Sequence, residues 1–173
     1  MNNPFALFDL PVVFQVDSAL LNERYLALQK SLHPDNFSAA SAQEQRLAIQ
    51  KSAEINDALR ILKDPIARAD SIIAINTGEQ ENPEEKSNKD IGFLMQQMEW
   101  RETLENIENR QDTDELTAFA QEINQSRHAI LSELSTALDA QQWDIARAIT
   151  DKLRFIKKLQ TEIERVEETL LDF

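Results

Sequence analysis

Three adjacent residues, His33-Pro34-Asp35, are the first place in this chain where side-chain types and spacing point to chemistry. They place an imidazole, a rigid ring and a carboxylate in one short turn. An ionised carboxylate held in a loop suits charge-assisted hydrogen bonding. Pro34 stiffens that loop, so less conformational entropy is lost on binding. His33 adds a planar polar face. Taken alone, the tripeptide reads equally well as an ordinary helix terminator with an exposed imidazole.

Other reactive constellations are missing from the sequence. There is no Cys, hence no disulfide, no thiolate zinc site, no cysteine nucleophile and no iron–sulfur cluster held by the chain's own thiolates. Two glycines cannot build a phosphate-cradling loop. No Gly-x-Ser-x-Gly elbow occurs. Neither His33 nor His128 lies three residues after a Glu, as a carboxylate di-iron bundle would require. His128 is expected on the surface or in helix packing. The expectation is a protein that is not an enzyme and carries no cofactor or metal.

The elements that must position the tripeptide are helices. Asn3-Pro4 can open a short helix bearing Phe5, Leu7 and Phe8, which Pro11 ends. Asp17 is a good cap for a second helix with Leu21, Tyr25, Leu28 and Leu32 on one stripe. Pro34 stops it. A third helix starts near Ser41 and aligns Ala48, Ser52, Ile55, Leu59 and Leu62. Asp64-Pro65 ends it and can open a fourth, with Ile66, Ala69, Ile72 and Ile73, closed at Asn76-Thr77-Gly78. Residues 77–89, TGEQENPEEKSNK, are polar and acidic and mark a domain boundary.

Three longer helical patterns follow. The first runs from about Asp90 to Arg110. The second opens at Asp112, with Glu115 at capping-box spacing, and carries Leu116, Phe119, Ile123, Ile130, Leu134 and Leu138. After a turn near Asp139-Ala140, the third carries Ile145, Ile149, Ile156, Leu159, Ile163, Val166 and Leu170. Short connections make the three antiparallel. The fold class is therefore all-α: an antiparallel helical hairpin with short flanking helices over residues 1–76, a linker over 77–89, and a three-helix bundle over 90–173.

One of these helices has more apolar surface than one core needs. At about 100° per residue, Phe93, Trp100, Leu104 and Ile107 share one sector. Leu94, Met95 and Met98 fall in a second, with Glu99 and Glu102 on or beside it. A soluble monomer rarely leaves such a patch exposed without purpose. Methionines suit adaptable binding faces, and carboxylates beside them would orient a basic partner. Packing of this sector on the N-terminal domain is the other reading. Basic residues near Arg154, Lys157 and Lys158 read as a solvated face.

Bulk composition agrees. Of 173 residues 42% are hydrophobic, with only two Gly and five Pro, which favours helix over a turn-rich β fold. A net charge of −13 disfavours nucleic-acid binding. No apolar run reaches the ~20 residues of a bilayer span, and no secretory signal is seen. A soluble, cytoplasmic monomer is expected.

Context gives the tripeptide its meaning. Ile55-Asn56-Asp57-Ala58-Leu59, then Leu62-Lys63-Asp64-Pro65 and Arg68, follow it by one helix. This layout resembles the J domain, although Leu59 stands where the family has tyrosine and Asn36 where a lysine is common. Phe93-Leu94-Met95-Gln96-Gln97-Met98, Arg101-Glu102, Lys152-Leu153-Arg154-Phe155 and Leu170-Leu171-Asp172-Phe173 extend the likeness over nearly the whole chain. The sequence is similar to the HscB family of iron–sulfur co-chaperones. The absence of Cys means that the zinc-binding extension of some eukaryotic relatives is missing, which fits a bacterial-type member.

The resemblance implies two partners. An HscA-type heat-shock ATPase would be contacted by His33, Pro34 and Asp35, with Arg24 and Lys30 on the modestly basic second helix. The Asp35 carboxylate would meet an arginine near the nucleotide domain of that partner. An IscU-type scaffold would be held by Leu94, Met95, Met98 and Phe155, with Glu99 and Glu102. Two rivals stay open: a J protein for general unfolded clients, and a structural helical adapter indifferent to loss of the tripeptide.

Overall fold

The structure, a computed structural model, describes residues 3–78 and 90–172. Among them there are helices and no strand. The chain divides into two compact units, Met1–Glu79 and Gln80–Phe173. Of the expected linker, residues 79–89 lie outside the described residues.

The first unit is built from α1 (Pro4–Leu7), α2 (Ser18–Ser31), α3 (Ala42–Lys63) and α4 (Pro65–Thr77), with a 3₁₀ turn at Pro34–Phe37. Its boundaries follow from side chains that satisfy the otherwise unpaired N–H groups of each first turn. Asn3 Oδ1 accepts from Ala6 N–H at 2.8 Å, Asp17 Oδ1 from Leu20 N–H at 3.1 Å, and Ser41 Oγ from Glu44 N–H at 3.2 Å. Asp64 both ends α3 and caps α4, accepting from Ile66 N–H at 3.1 Å. Gly78 closes α4 in the left-handed conformation (φ 70°), which glycine adopts without a Cβ penalty.

Phe5, Phe8, Leu21, Ile55, Leu62, Ala69 and Ile72 are buried in this unit. Arg68, on α4, is drawn into it. Its guanidinium lies 4.6 Å over the Phe14 ring and donates to the Leu62 carbonyl at 2.7 Å. Burial pulls its pKa down, and Asp64 opposes that shift. The Asp64 and Arg68 pair noted in the sequence thus staples the α3–α4 corner.

The second unit is a three-helix bundle of α5 (Ile91–Arg110), α6 (Thr113–Asp139) and α7 (Trp143–Leu171). Its core joins Phe93, Trp100, Leu104 and Ile107 to Leu116, Phe119 and Ile123, and to Ile156, Leu159, Ile163, Val166 and Leu170. Asp112 caps α6, as its spacing to Glu115 requires, at 3.0 Å. His128 is exposed.

Ile145 corrects the expected α7 stripe: it is 51% exposed, while Ala146, Thr150 and Leu153 are buried beside Ile149. Ile149, Ile156, Ile163 and Leu170 repeat every seven residues. A seven-residue repeat drifts by about 20° per heptad on a 3.6-residue helix. The buried face at the start of α7 is therefore rotated away from the position a single average wheel assigns to Ile145. Thr150 keeps its buried hydroxyl satisfied by donating to the Ala146 carbonyl at 2.7 Å.

Leu159, fully buried, tests this assignment against Ile145. Leu159→Ala is expected to cost about 2–5 kcal/mol through lost contacts and a cavity. Ile145→Ala should stay within about 0.5 kcal/mol, as exposed substitutions do. Urea unfolding of both variants makes the comparison, and equal losses would return Ile145 to the core.

Candidate functional sites

The hairpin tip of the first unit is fastened from both sides. Below it, a polar seam joins α2 to α3. The Tyr25 hydroxyl donates to Asn56 Oδ1 at 2.7 Å, Gln29 Nε2 donates to the same oxygen at 2.9 Å, and the Ser52 hydroxyl donates to Gln29 Oε1 at 3.1 Å. These bonds set the register in which α2 delivers the chain to Pro34.

Within the loop, polar groups turn inward. Asn36 Nδ2 donates to the Lys30 and Ser31 carbonyls at 2.8 and 3.2 Å, satisfying acceptors at the end of α2. Asn36 N–H donates to the His33 carbonyl at 2.9 Å, and Asp35 N–H to His33 Nδ1 at 3.2 Å. The Ser38 hydroxyl reaches the Asp35 carbonyl at 3.3 Å, and Gln45 Nε2 the Phe37 carbonyl at 3.0 Å. The Asp35 carboxylate is the exception: its side chain is 91% exposed, with His33 Nδ1 3.5 Å from Oδ2. Ala27, Lys30, Ser31, His33, Asp35 and Asn36 line one shallow depression at this tip.

Of the residues expected here, the structure brings together His33, Asp35 and Lys30 beside Pro34. Arg24 does not join them. Its guanidinium donates to the Phe8 carbonyl at 2.8 Å and to that of Asp9, tying α2 to the end of α1. Asn36 had stood out only as a departure from the lysine common in J domains, yet it fastens the loop to α2.

The second candidate site lies on α5. Leu94, Met95 and Met98 are 43%, 65% and 72% exposed, and Ile91, which the sequence reading passed over, is 71% exposed. Positions 91, 94, 95 and 98 follow i, i+3, i+4, i+7 spacing and lie on one face, so helical spacing was the signal for Ile91. Glu99 and Glu102 are exposed at the next turn.

Phe155 is packed from several sides. It is half-buried, edge-on to Phe93 at 5.8 Å and stacked with Trp100 at 6.3 Å. One side of this side chain therefore belongs to the bundle core. The Arg101 guanidinium covers its ring at 5.2 Å and pairs with Glu162 at 3.4 Å.

The start of α5 is held by Asp90. It accepts from Phe93 N–H at 3.0 Å and pairs with Lys152 of α7 at 3.2 Å. The Phe93 N–H bond and then Lys152 hold its carboxyl below the ordinary carboxylate range. Because the folded-state value is depressed, the stability it adds is present above the unfolded carboxylate range and is lost as pH falls through the folded value. In Asp90→Asn an amide oxygen can still cap, but the charge is gone. Its Tm should lie below wild type at neutral pH, and the gap should close below about pH 4. Fluorescence melts report this, since Trp100 and Trp143 both lie in this unit. A gap unchanged in acid would remove the charge from the explanation.

Among the described residues, no group of His, Cys, Asp or Glu is placed to hold a metal, and no helix is long and apolar enough to cross a membrane.

A hairpin with this tip, followed by a helical bundle, has the layout that the resemblance to J-domain proteins implied. The comparisons narrow the class. Residues 89–164 match the family described as "HSCB C-terminal oligomerisation domain". A "Co-chaperone protein HscB homolog" of Mannheimia succiniciproducens is 68% identical over 173 residues, covering all of both chains. Among solved structures, chaperone HscB from Vibrio cholerae superposes with a TM-score of 0.83 at 39% identity, over 98% of this chain and 99% of its own. Human co-chaperone protein HscB superposes with a TM-score of 0.88 at 25% identity, over 96% and 83%. The chain belongs to the HscB family of co-chaperones.

Proposed function

We propose that the chain is a cytoplasmic co-chaperone of iron–sulfur cluster assembly. It captures an IscU-type scaffold and delivers it to an HscA-type chaperone, whose ATPase it stimulates. The work divides between a J domain at residues 1–76 and a scaffold-binding bundle at 90–173, joined by 77–89. One observation carries the reading: Asp35 keeps its carboxylate 91% exposed while the polar groups around it bond inward. A carboxylate presented on a fastened loop is suited to meet an arginine of a partner ATPase.

Lys30 adds positive charge beside the tip, whereas Arg24 is left out of the contact because its guanidinium is engaged at α1. On the bundle, Leu94, Met95 and Met98 supply apolar contact, joined by Ile91. Phe155 contributes what remains exposed of its half-buried ring beside Arg101, and Glu99 and Glu102 orient the scaffold.

Single-turnover ATP hydrolysis by the HscA-type chaperone, with and without the IscU-type scaffold, tests the whole reading. Stimulation that grows when scaffold is added supports delivery of a specific client. Stimulation indifferent to scaffold favours a J protein for general clients, and no stimulation at all favours a helical adapter.

Variants separate the two sites. Asp35→Asn is expected to reduce stimulation about tenfold or more, the worth of a hydrogen bond to a charged group, while scaffold affinity holds. Joint replacement of Leu94, Met95 and Met98 by Ala should weaken scaffold binding about a hundredfold, given the typical cost of truncating central interface residues. Stimulation without scaffold should survive in that variant. Loss of both activities in each folded variant would end the division of labour.

A further inference from the structure

The loop that presents Asp35 leaves one imidazole nitrogen already engaged. His33 has φ −58° and ψ 138°, the extended geometry favoured before proline, and the chain then enters the 3₁₀ turn. That turn begins with N–H groups that have no partner inside it. Pro34 has no N–H, so Asp35 carries the first one, and it donates to His33 Nδ1 at 3.2 Å. His33 therefore does here what Asn, Asp or Ser does at ordinary helix starts.

An imidazole nitrogen accepts a hydrogen bond only while it carries no proton, and a neutral ring holds its single proton on the other nitrogen. The bond to Asp35 N–H thus selects the tautomer protonated at Nε2. It also keeps a proton away from the nitrogen 3.5 Å from Asp35 Oδ2, where Nδ1–H would turn toward the carboxylate and occupy it.

We infer that His33 is a positioning residue that acts through Asp35. Its Nδ1 caps the 3₁₀ turn, and the cap holds the Asp35 backbone so that the carboxylate faces solvent. This inference rests on the reading of Asp35 as the group that meets the partner ATPase.

Substitutions at residue 33 can tell the two ring nitrogens apart. Nδ1 is separated from Cα by the same number of bonds as Oδ1 of asparagine, whereas the glutamine amide lies one bond further out, nearer the place of Nε2. If capping is the role, His33→Asn should retain it and His33→Gln should not. If the outer nitrogen touches the partner instead, the order reverses.

Three measurements on the protein decide it. Nitrogen-15 NMR of the His33 ring in mildly alkaline buffer reports the tautomer without any partner. Single-turnover hydrolysis by the HscA-type chaperone compares wild type with His33→Asn, His33→Gln and His33→Ala, and amide exchange at Asp35 is followed in each. The expected result is an Nε2–H ring, with Asp35 N–H protected in wild type and His33→Asn. Stimulation should stay within about threefold of wild type for Asn and fall about tenfold for Gln and Ala, in the range of a lost cap. An Nδ1–H ring, or activity kept by Gln and lost by Asn, would overturn the inference. An Nε2–H ring in a wild-type protein that stimulates no ATPase would leave the capping geometry standing and overturn the role built on it, along with the functional reading. Stimulation together with an Nδ1–H ring would do the opposite.

Discussion

The first turn of a helix carries backbone N–H groups with no partner inside the helix, and leaving them unpaired is costly. Much of this chain is organised by how they are satisfied. Asn3, Asp17, Ser41, Asp64, Asp90 and Asp112 each place an oxygen on such a group. Each cap fixes where a helix begins and therefore how much chain remains for the preceding loop. Asp64 shows the economy of this device: one residue ends α3 and starts α4 with no intervening loop. Asp90 shows its reach, since the side chain that starts α5 also pairs with Lys152 on α7. It thereby places Ile91, Leu94 and Met95 at the beginning of a helix whose other face is already committed to the core.

That commitment explains why α5 and α7 differ as helices. Most large apolar residues of α7 serve one continuous stripe, from Ile149 to Leu170. α5 is divided. Phe93, Trp100, Leu104 and Ile107 anchor it, while Ile91, Leu94, Met95 and Met98 keep much of their apolar surface in solvent. Apolar surface left in water contributes nothing to the stability of the unit, at about 25 cal/mol for each Å² that a partner would bury. Such a face is free to contribute to binding because the anchors hold the helix without it. The aromatic contacts of Phe155 with Phe93 and Trp100 join α7 to these anchors.

Much of this was legible in the residues. Caps, proline breaks and the three long periodic stripes gave the helices and their order, because those signals act within one or two turns. His33-Pro34-Asp35 stood out by type, and the two sectors of α5 by spacing. What stayed hidden depends on distance along the chain or on small departures from ideal geometry. Arg24 read, with Lys30, as part of the basic helix face that the resemblance turns toward the chaperone, but its partners are carbonyls 15 and 16 residues away, brought near by the fold. Asn36 read as the loss of a lysine because its hydrogen bonds to Lys30 and Ser31 need the loop to turn back on α2. Ile145 looked like core because one average wheel ignores the slow rotation of a seven-residue stripe. Ile91 was missed because it is the first residue of its helix, although its spacing to Leu94, Met95 and Met98 places it on their face.

Charge is distributed in keeping with these two faces. The chain carries a net charge of −13, so a carboxylate gains no distinction merely by being present. Asp35 differs from the capping aspartates in how it is used. Asp17, Asp64, Asp90 and Asp112 direct their oxygens into helix starts, where the dipole favours negative charge. Asp35 sits in the first turn of a 3₁₀ segment too, but there the imidazole of the preceding loop residue takes the backbone donor. Had residue 33 lacked an acceptor, the simplest remaining solution would be solvent or a rearranged loop. An acceptor that is part of a ring, fixed before a proline, closes the turn and leaves the negative charge pointing to solvent. The fold thus uses the same interaction throughout, and at the hairpin tip a change in which residue supplies the acceptor converts a structural carboxylate into a presented one.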